Sequence, residues 1–273
     1  MTPDSPASDT SRKARSHFHF HGCGHAFSAT FTRPFHEHVD ALAATALPAT
    51  GGHGTAQVEN FRLHKFISFK NGYTHVSGGY QEDDESNNTL VTSVIEGLNM
   101  MDVLTIDRVV CRLYSKHPKN DPEGHITMHG SKFENVSICG QTVKINLDLG
   151  FFDRIRTFKQ AHEEFAKADG KFKTLTHALL QPGQVLPDQR CNGAYLCSLV
   201  EGDIRLGYHE SDRSHPPHSI YVPGFGKVFF AETFISHGQR TLTMLRFELG
   251  SATSVAGSAV TATTNGRQWP PPG

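Results

Sequence analysis

The strongest indication of the fold is His53-Gly54-Thr55-Ala56-Gln57-Val58-Glu59-Asn60-Phe61-Arg62-Leu63, because much of its pattern returns later in the chain. His129-Gly130-Ser131 runs into Phe133-Glu134-Asn135-Val136-Ser137-Ile138 in the same order. Both copies show His-Gly-[Ser/Thr], a short spacer, and then apolar-Glu-Asn-apolar-x-apolar. Such self-similarity usually means that one supersecondary unit is used twice. The sequence therefore predicts a duplicated strand-turn-strand element.

Strand patterns surround both copies. Aromatic and β-branched residues from Phe61 to Phe69 predict a strand, and Asn71-Gly72 is typical of a tight hairpin turn. Residues 133–138 and 142–147 predict a second hairpin, joined at Cys139-Gly140-Gln141. A polar loop is expected at 81–88, and further strands at 89–95, 103–114, 193–200, 219–222, 227–234, 241–249 and 255–263.

Two segments bear on helix content. Thr157 and Gln160 have the spacing of a capping box, and Phe158, Ala161 and Phe165 follow at helical intervals, so a helix is expected at about 157–168. Residues 35–46 fit either a helical stripe after Pro34 or an alanine-rich extended run, and we favour the strand.

Together these signals predict an all-β fold of two linked or stacked antiparallel sheet units, sandwich-like or solenoid-like, with one short helix. The predicted boundaries are a disordered tail at 1–16, a first β-rich unit at 17–150, a helix and loop connection at 151–192, a second β-rich unit at 193–263 and a tail at 264–273.

Composition excludes some functions. With 26 basic and 27 acidic residues the net charge is −1, and no basic stripe interleaved with aromatics indicates nucleic-acid binding. No apolar run is long enough for a membrane helix, and residues 1–16 lack the apolar segment of a secretory signal, so we expect a cytoplasmic protein without a membrane span. The five scattered cysteines form no C-x-x-C pair and predict buried free thiols, with a Cys191–Cys197 disulfide as the alternative.

Three phrases resemble the bacterial choice-of-anchor P type of extracellular β-domain. They are Glu96-Gly97-Leu98-Asn99 with the strand from Leu104 to Val110, the hairpin from Ser131 to Val143, and Pro223-Gly224-Phe225-Gly226 with the strands that follow it. The resemblance covers about residues 24–264. It implies a β-fold and an extracellular location, with surface display, and it carries no catalytic residues.

Eighteen histidines make a transition-metal site the main chemical hypothesis, with zinc, copper, iron or manganese as the ion. Alternation on a strand places imidazoles at i and i+2 on one face. The candidate ligands are therefore His36 and His38 in one segment and His19 and His21, beside His17, in another. His125 and His129 also share a face, and His209, His215 and His218 lie together in a loop segment.

No nucleophile elbow, phosphate-binding loop or dinucleotide fingerprint is present. Glu59 and Glu134 occupy equivalent repeat positions and are candidates for an acid/base pair, whereas a strand carboxylate flanked by Asn is more often a solvent-side or turn-bonding group. The leading hypothesis is a non-catalytic β-domain for ligand binding or self-assembly, with a homo-oligomer or a small molecule as partner. Its alternatives are a histidine-rich metal-dependent enzyme or metal-binding protein, and a cofactor-free cyclase or isomerase of a small apolar substrate. Whether the chain is an enzyme stays open at this point.

Overall fold

The computed structural model describes residues 17–119, 121, 123–167, 176–180, 194–202, 204–206, 209–210, 219–236, 239–250 and 253–269. Antiparallel strands dominate these residues, which confirms the all-β prediction. In chain order the strands and helices are β1 (His17–Arg33), β2 (Glu37–Leu42), β3 (Thr45–Ala46), β4 (Gly52–Leu63), β5 (Ile67–Gln81), β6 (Ser86–Met100), β7 (Leu104–Pro118), β8 (His125–Thr127), β9 (Lys132–Ile138), β10 (Gln141–Val143), α1 (Phe151–Arg154), α2 (Phe158–Ala166), β11 (Thr176–Leu180), β12 (Ala194–Ser198), β13 (Arg205–Leu206), β14 (His209–Glu210), β15 (Ser219–Val222), β16 (Gly226–Ser236), β17 (Gln239–Leu249) and β18 (Ser254–Trp269).

Most strands belong to two large sheets that face each other. Sheet A has the order β11-β12-β16-β17-β18-β1-β2, with β15 added beside β16 and β3 beside β1. Sheet B has the order β10-β9-β7-β6-β5-β4, with β8 added beside β7. The predicted first unit therefore contributes to both sheets, because β1, β2 and β3 pair within the sheet of the C-terminal strands.

The two ends of the described chain pair with each other along almost their full length. His17 lies opposite Trp269, and the antiparallel register continues to Phe31 opposite Val255. The sequence predicted that residue 264 would begin a tail, but β18 runs on to Trp269 because β1 supplies a backbone partner there. Alternation along β1 turns Phe20 into the interior and leaves its flanking histidines exposed.

One predicted turn is wrong. Asn71-Gly72 lies inside β5, and the chain reverses instead between Leu63 and Ile67. Gly72 is needed for packing rather than for a turn, since a Cβ on it would lie 3.1 Å from the Cβ of Ala26 on the facing sheet. The hairpin predicted at Cys139-Gly140 is confirmed, as β9 and β10 pair across it.

The two sheets approach closely over small residues. A Cβ on Gly24 would lie 2.6 Å from the hydroxyl oxygen of Ser93 on sheet B, so no larger residue fits without displacement. Ser93 donates to the carbonyl of Thr261 at 3.0 Å, and Ser115 bonds Thr264 at 2.9 Å. These hydroxyls link sheet B to β18 within an otherwise apolar interior, so the relative position of the sheets is fixed by directional bonds as well as by packing.

The two copies of the duplicated phrase correspond in the structure at their Glu-Asn pairs. Glu59 and Glu134 lie in one cross-strand row of sheet B, which runs through Asn71, Glu96 and Arg108. The asparagines that follow these glutamates both have left-handed backbone, with φ of 52° and 51°. The His-Gly pairs do not correspond, because one lies inside β4 and the other in the turn before β9.

The helix predicted at about 157–168 and the strand favoured at 35–46 are confirmed, whereas the sequence did not predict the short helix α1. Thr157 Oγ1 accepts from the Gln160 backbone N–H at 3.1 Å, and Gln160 Oε1 accepts from the Thr157 N–H at 3.2 Å, which is the predicted capping box. Helix α2 ends at Ala166. Residues 37–42 and 45–46 are strands. No described helix combines the length and apolar character needed to cross a membrane.

Candidate functional site

The first predicted histidine group lies on the outer face of sheet A. His19 and His21 are exposed on β1, as the alternation predicts, and they face solvent beside β18. Their neighbours across the strand pair are Arg267 and Asn265. Arginine is not a metal ligand, so the position opposite His19 supplies no further donor.

The second predicted group is also exposed. The Nδ1 of His38 lies 2.9 Å from Thr30 Oγ1, and its Nε2 lies 3.3 Å from Asp40. His36 precedes β2, and Glu37 turns to His64. Over the described ranges, no three histidine, cysteine, aspartate or glutamate side chains are arranged so as to enclose a metal ion. His38 is therefore engaged by Thr30 and Asp40.

Other candidates are separated or lie elsewhere. His215 and His218 fall outside the described residues, as does Cys191. Cys111 and Cys197 are buried free thiols as predicted, while Cys139 is exposed at the β9–β10 turn. Glu59 and Glu134 lie on β4 and β9, four strand positions apart in sheet B, or about 19 Å at roughly 4.8 Å per strand. They therefore do not form an acid/base pair.

A cleft that the sequence did not reveal opens on the outer face of sheet A. Its volume is about 440 Å³. It lies where β3 pairs with β1, whose other neighbour is β18. Small and uncharged groups line it, and most of its surface is apolar. The lining residues are Cys23, Gly24, His25, Ala44, Thr45, Ala46, Thr261 and Thr263.

His25 is the distinctive polar group of this cleft. Its Nε2 lies 3.2 Å from Ser258 Oγ and 3.5 Å from Ser28 Oγ, and the two hydroxyls lie 3.3 Å apart. Burial lowers the pKa of His25, and burial likewise raises the pKa of the neighbouring Cys23 thiol. At neutral pH the cleft therefore presents a neutral imidazole and a protonated thiol.

A hydroxyl ladder stabilises the floor of the cleft. Thr263 bonds Thr241 at 2.9 Å, and Thr261 donates to Thr243 at 3.3 Å. These pairs hold the two threonine side chains of β18 in fixed rotamers beside His25. The cleft can thus offer hydrogen bonds to a small polar group at low entropic cost, because its donors and acceptors are already ordered.

A family model described as "Domain of unknown function (DUF8256)" matches residues 18–236. The chain belongs to this family. No curated protein and no solved structure matches the chain. The range that matches the family model includes the lining residues from β1 and β3. It ends before β18, which supplies Thr261 and Thr263 to the cleft.

A second cluster of this DUF8256 protein lies at the junction of β8 and α1. The Nε2 of His125 lies 3.2 Å from Asp153 Oδ1, and the Nε2 of His129 lies 3.8 Å from Asp153 Oδ2. The sequence predicted that the two histidines share a face. It did not reveal Asp153, which approaches from a helix 24 to 28 positions later in the chain.

One histidine of this DUF8256 protein, His117, is buried inside the sandwich. His117 is only 4% exposed, and within the described part of the chain neither ring nitrogen has a hydrogen-bond partner. Its ring lies 5.1 Å from that of Phe18 and against Gly124, whose missing side chain leaves space for it. Burial lowers the pKa of His117 to about 4, although Asp121 acts in the opposite direction.

This shift makes stability depend on pH. An unfolded chain takes up the His117 proton near pH 6.5, whereas the folded protein resists it down to about pH 4. The contribution of neutral His117 to the free energy of unfolding is therefore complete above pH 6.5 and is lost as the pH falls to 4. The loss is about 3 kcal/mol, at roughly 1.4 kcal/mol for each pKa unit of the shift. Urea denaturation at both pH values should show that the His117→Phe variant loses most of this dependence. Replacing the exposed His21 by glutamine is the control, and an equal loss in both variants would contradict the assignment.

Proposed function

We propose that this protein is a non-catalytic β-sandwich domain that binds a small, uncharged molecule in the cleft of β1, β3 and β18. The observation that carries the proposal is the lining of the cleft, in which the described residues combine apolar surface with hydroxyl, thiol and imidazole groups and include no carboxylate, ammonium or guanidinium. Ligand sites of proteins typically show this combination of apolar walls and a few placed polar groups.

The chemistry of the lining favours a neutral ligand with one or two hydroxyl or carbonyl groups. A charged ligand would lose solvation on entering and would find no opposite charge among the described lining residues. Neutral His25 can donate or accept according to its tautomer, and Thr261 and Thr263 provide hydroxyls beside it. The small side chains of Ala44 and Ala46 leave room for an apolar body against the strands.

Binding is favoured over catalysis because the contacts of His25 are two serine hydroxyls. In a nucleophilic site, the base is oriented by a third group, usually a carboxylate, on its other nitrogen. The described contacts of His25 include no such carboxylate. We therefore rank the cyclase or isomerase hypothesis below the binding hypothesis. Self-association, the cytoplasmic or extracellular location and the choice-of-anchor resemblance remain predictions.

A small set of matched probes tests this proposal. Benzyl alcohol and cyclohexanone are compared with benzoate and benzylamine by ligand-observed NMR against the full chain. We expect the neutral probes to bind at least about tenfold more tightly, a difference of roughly 1.4 kcal/mol. Ala46→Trp, which fills the cleft, should abolish binding, and Ala41→Trp on the exposed face of β2 should preserve it.

Three results would contradict the proposal. They are equal binding of benzoate, undiminished binding by the Ala46→Trp variant, and failure of both neutral probes to bind the wild-type protein. Circular dichroism of both tryptophan variants checks that the sandwich remains folded. Because both substituted alanines are exposed, we expect them to tolerate the larger side chain.

A further inference from the structure

Strand β4 forms an edge of sheet B and is bonded on one side only. Its backbone pairs with β5, and within the described part of the chain no strand pairs with its other side. At 12 residues, β4 is longer than β2, β11 and β10, which end the two large sheets elsewhere and have 6, 5 and 3 residues. A long open edge carries a row of backbone N–H and C=O groups that another strand can bond.

The first part of this edge lacks the features that usually keep edge strands apart. Lysine, proline and strand irregularities are the common ones. Residues 53–59 include neither lysine nor proline, and their antiparallel register with β5 continues without a shift. Positive backbone φ angles bound the segment on both sides, 116° at Gly52 and 52° at Asn60. The regular strand available for pairing is therefore 53–59.

We propose that residues 53–59 pair antiparallel with the same residues of a second copy of this chain, about a two-fold axis at Ala56. Ala56 is the middle residue of the segment, so this register uses the whole of it. Sheet B then continues from one copy into the other through main-chain hydrogen bonds. A two-fold interface of this kind needs a surface that complements itself.

The outward side chains complement each other in this register. Four alternate residues of the segment are exposed, namely His53, Thr55, Gln57 and Glu59. Residues directly opposite in an antiparallel pair point to the same face. His53 of each copy therefore lies opposite Glu59 of the other, and Thr55 lies opposite Gln57. An imidazole facing a carboxylate and a hydroxyl facing an amide can both hydrogen-bond, and no two like charges meet.

Contacts within each copy prepare these groups for the partner. The Gln57 amide nitrogen donates to Glu59 Oε1 at 2.7 Å and to Asn71 Oδ1 at 3.3 Å. Because the nitrogen makes these contacts, the amide oxygen of Gln57 can accept from the Thr55 hydroxyl of the other copy. The contacts also hold the Glu59 carboxylate in place, which limits the conformational entropy lost on association.

Neighbouring registers fit less well. An axis at Thr55 would leave Glu59 opposite Gly51, outside the regular strand. An axis at Gln57 would carry the pairing past Asn60, where the backbone is left-handed. A register displaced by one residue would place exposed side chains opposite half-buried ones, which the alternation of a pleated sheet does not allow. Of these registers, the central one alone pairs the imidazole with the carboxylate.

The dimer is expected to be reversible. A single strand pair is a small interface, so we expect a micromolar dissociation constant. The described lining of the cleft of β1, β3 and β18 includes none of residues 53–59. Failure of the dimer would therefore leave the ligand proposal standing, and failure of the ligand proposal would leave the dimer standing.

Sedimentation equilibrium of the full, tag-free chain, from micromolar to submillimolar concentration, tests the interface. The wild-type chain should dimerise. The His53→Glu variant should dimerise roughly tenfold more weakly or worse, because it places carboxylates opposite each other on both sides of the axis. Adding Glu59→Lys to His53→Glu should restore most of the lost affinity, since an ammonium then lies opposite each introduced carboxylate.

The matched control is His21→Glu, which makes the same substitution at an exposed strand position of sheet A and should dimerise as wild type does. Circular dichroism checks that each variant keeps its β structure. A wild-type chain that stays monomeric over the whole concentration range would overturn the proposal. So would a dimer that His53→Glu leaves intact, that the added Glu59→Lys fails to restore, or that His21→Glu weakens to the same extent.

Discussion

Replacing Glu123 by glutamine is expected to lower the free energy of unfolding by about 3–5 kcal/mol, because the change leaves a buried guanidinium without its counter-charge. Arg240 is 2% exposed, and its NH2 group lies 3.3 Å from Glu123 Oε2. Burial lowers the pKa of Arg240, while Glu123 favours the charged form. Glu123 Oε2 also accepts from the Phe158 N–H at 2.6 Å, so the carboxylate links β17 to the start of α2.

Equilibrium unfolding in guanidinium chloride measures this loss. Glu134→Gln is the control, because Glu134 pairs with Lys132 on the exposed surface and its replacement should change stability little. A double variant, Glu123→Met with Arg240→Met, should be more stable than Glu123→Gln, since it removes both buried charges. Stability of Glu123→Gln within about 0.5 kcal/mol of wild type would show that the pair is not buried as described.

Replacing Gly226 by alanine is the second large effect, and we expect a loss of about 2–6 kcal/mol from backbone strain and overpacking together. Gly226 opens β16 with φ of 133°, a conformation that residues with a side chain rarely adopt. A Cβ there would lie 2.6 Å from the Leu249 Cα, and even closer to the Glu248 carbonyl oxygen. Both atoms are backbone of β17, so a side-chain rotation cannot relieve the contact.

Gly224 provides the matched control two residues earlier. Its φ is 74°, but a Cβ on it would meet nothing within 4 Å. Gly224→Ala should therefore cost only the left-handed backbone term, about 1–2 kcal/mol. Thermal and chemical unfolding of both variants measures the difference. Equal destabilisation of Gly224→Ala and Gly226→Ala would contradict the prediction, because the close approach of β16 and β17 would then have no measurable consequence.

Local sequence signals predicted where strands and helices lie better than they predicted which of these elements contact each other. The capping box joins Thr157 and Gln160, which are three residues apart, so a short stretch of sequence was enough to predict it. Asn71-Gly72 has the composition of a turn, yet Gly72 lies in a strand because Ala26 packs over it from the other sheet. That contact joins residues 46 positions apart, and no short-range pattern contains it. The extension of β18 to Trp269 depends in the same way on its pairing with β1.

The candidate sites show the same limit. Alternation correctly placed His19 and His21 on one exposed face, but a site needs donors from several segments. His25 meets Ser258 from the far end of the chain, and His125 meets Asp153 from a separate helix. The sequence shows that histidine is abundant. Only the three-dimensional arrangement shows which imidazoles have a hydrogen-bond or ion-pair partner.

Mapping the bound neutral probe by amide chemical shifts shows whether the cleft of β1, β3 and β18 is the ligand site. Titration of labelled protein with benzyl alcohol should shift the amides of Gly24, Thr45 and Thr261 and their neighbours, with saturation at a single dissociation constant. Shifts concentrated on the outer face of sheet B, or scattered shifts that do not saturate, would contradict the claim.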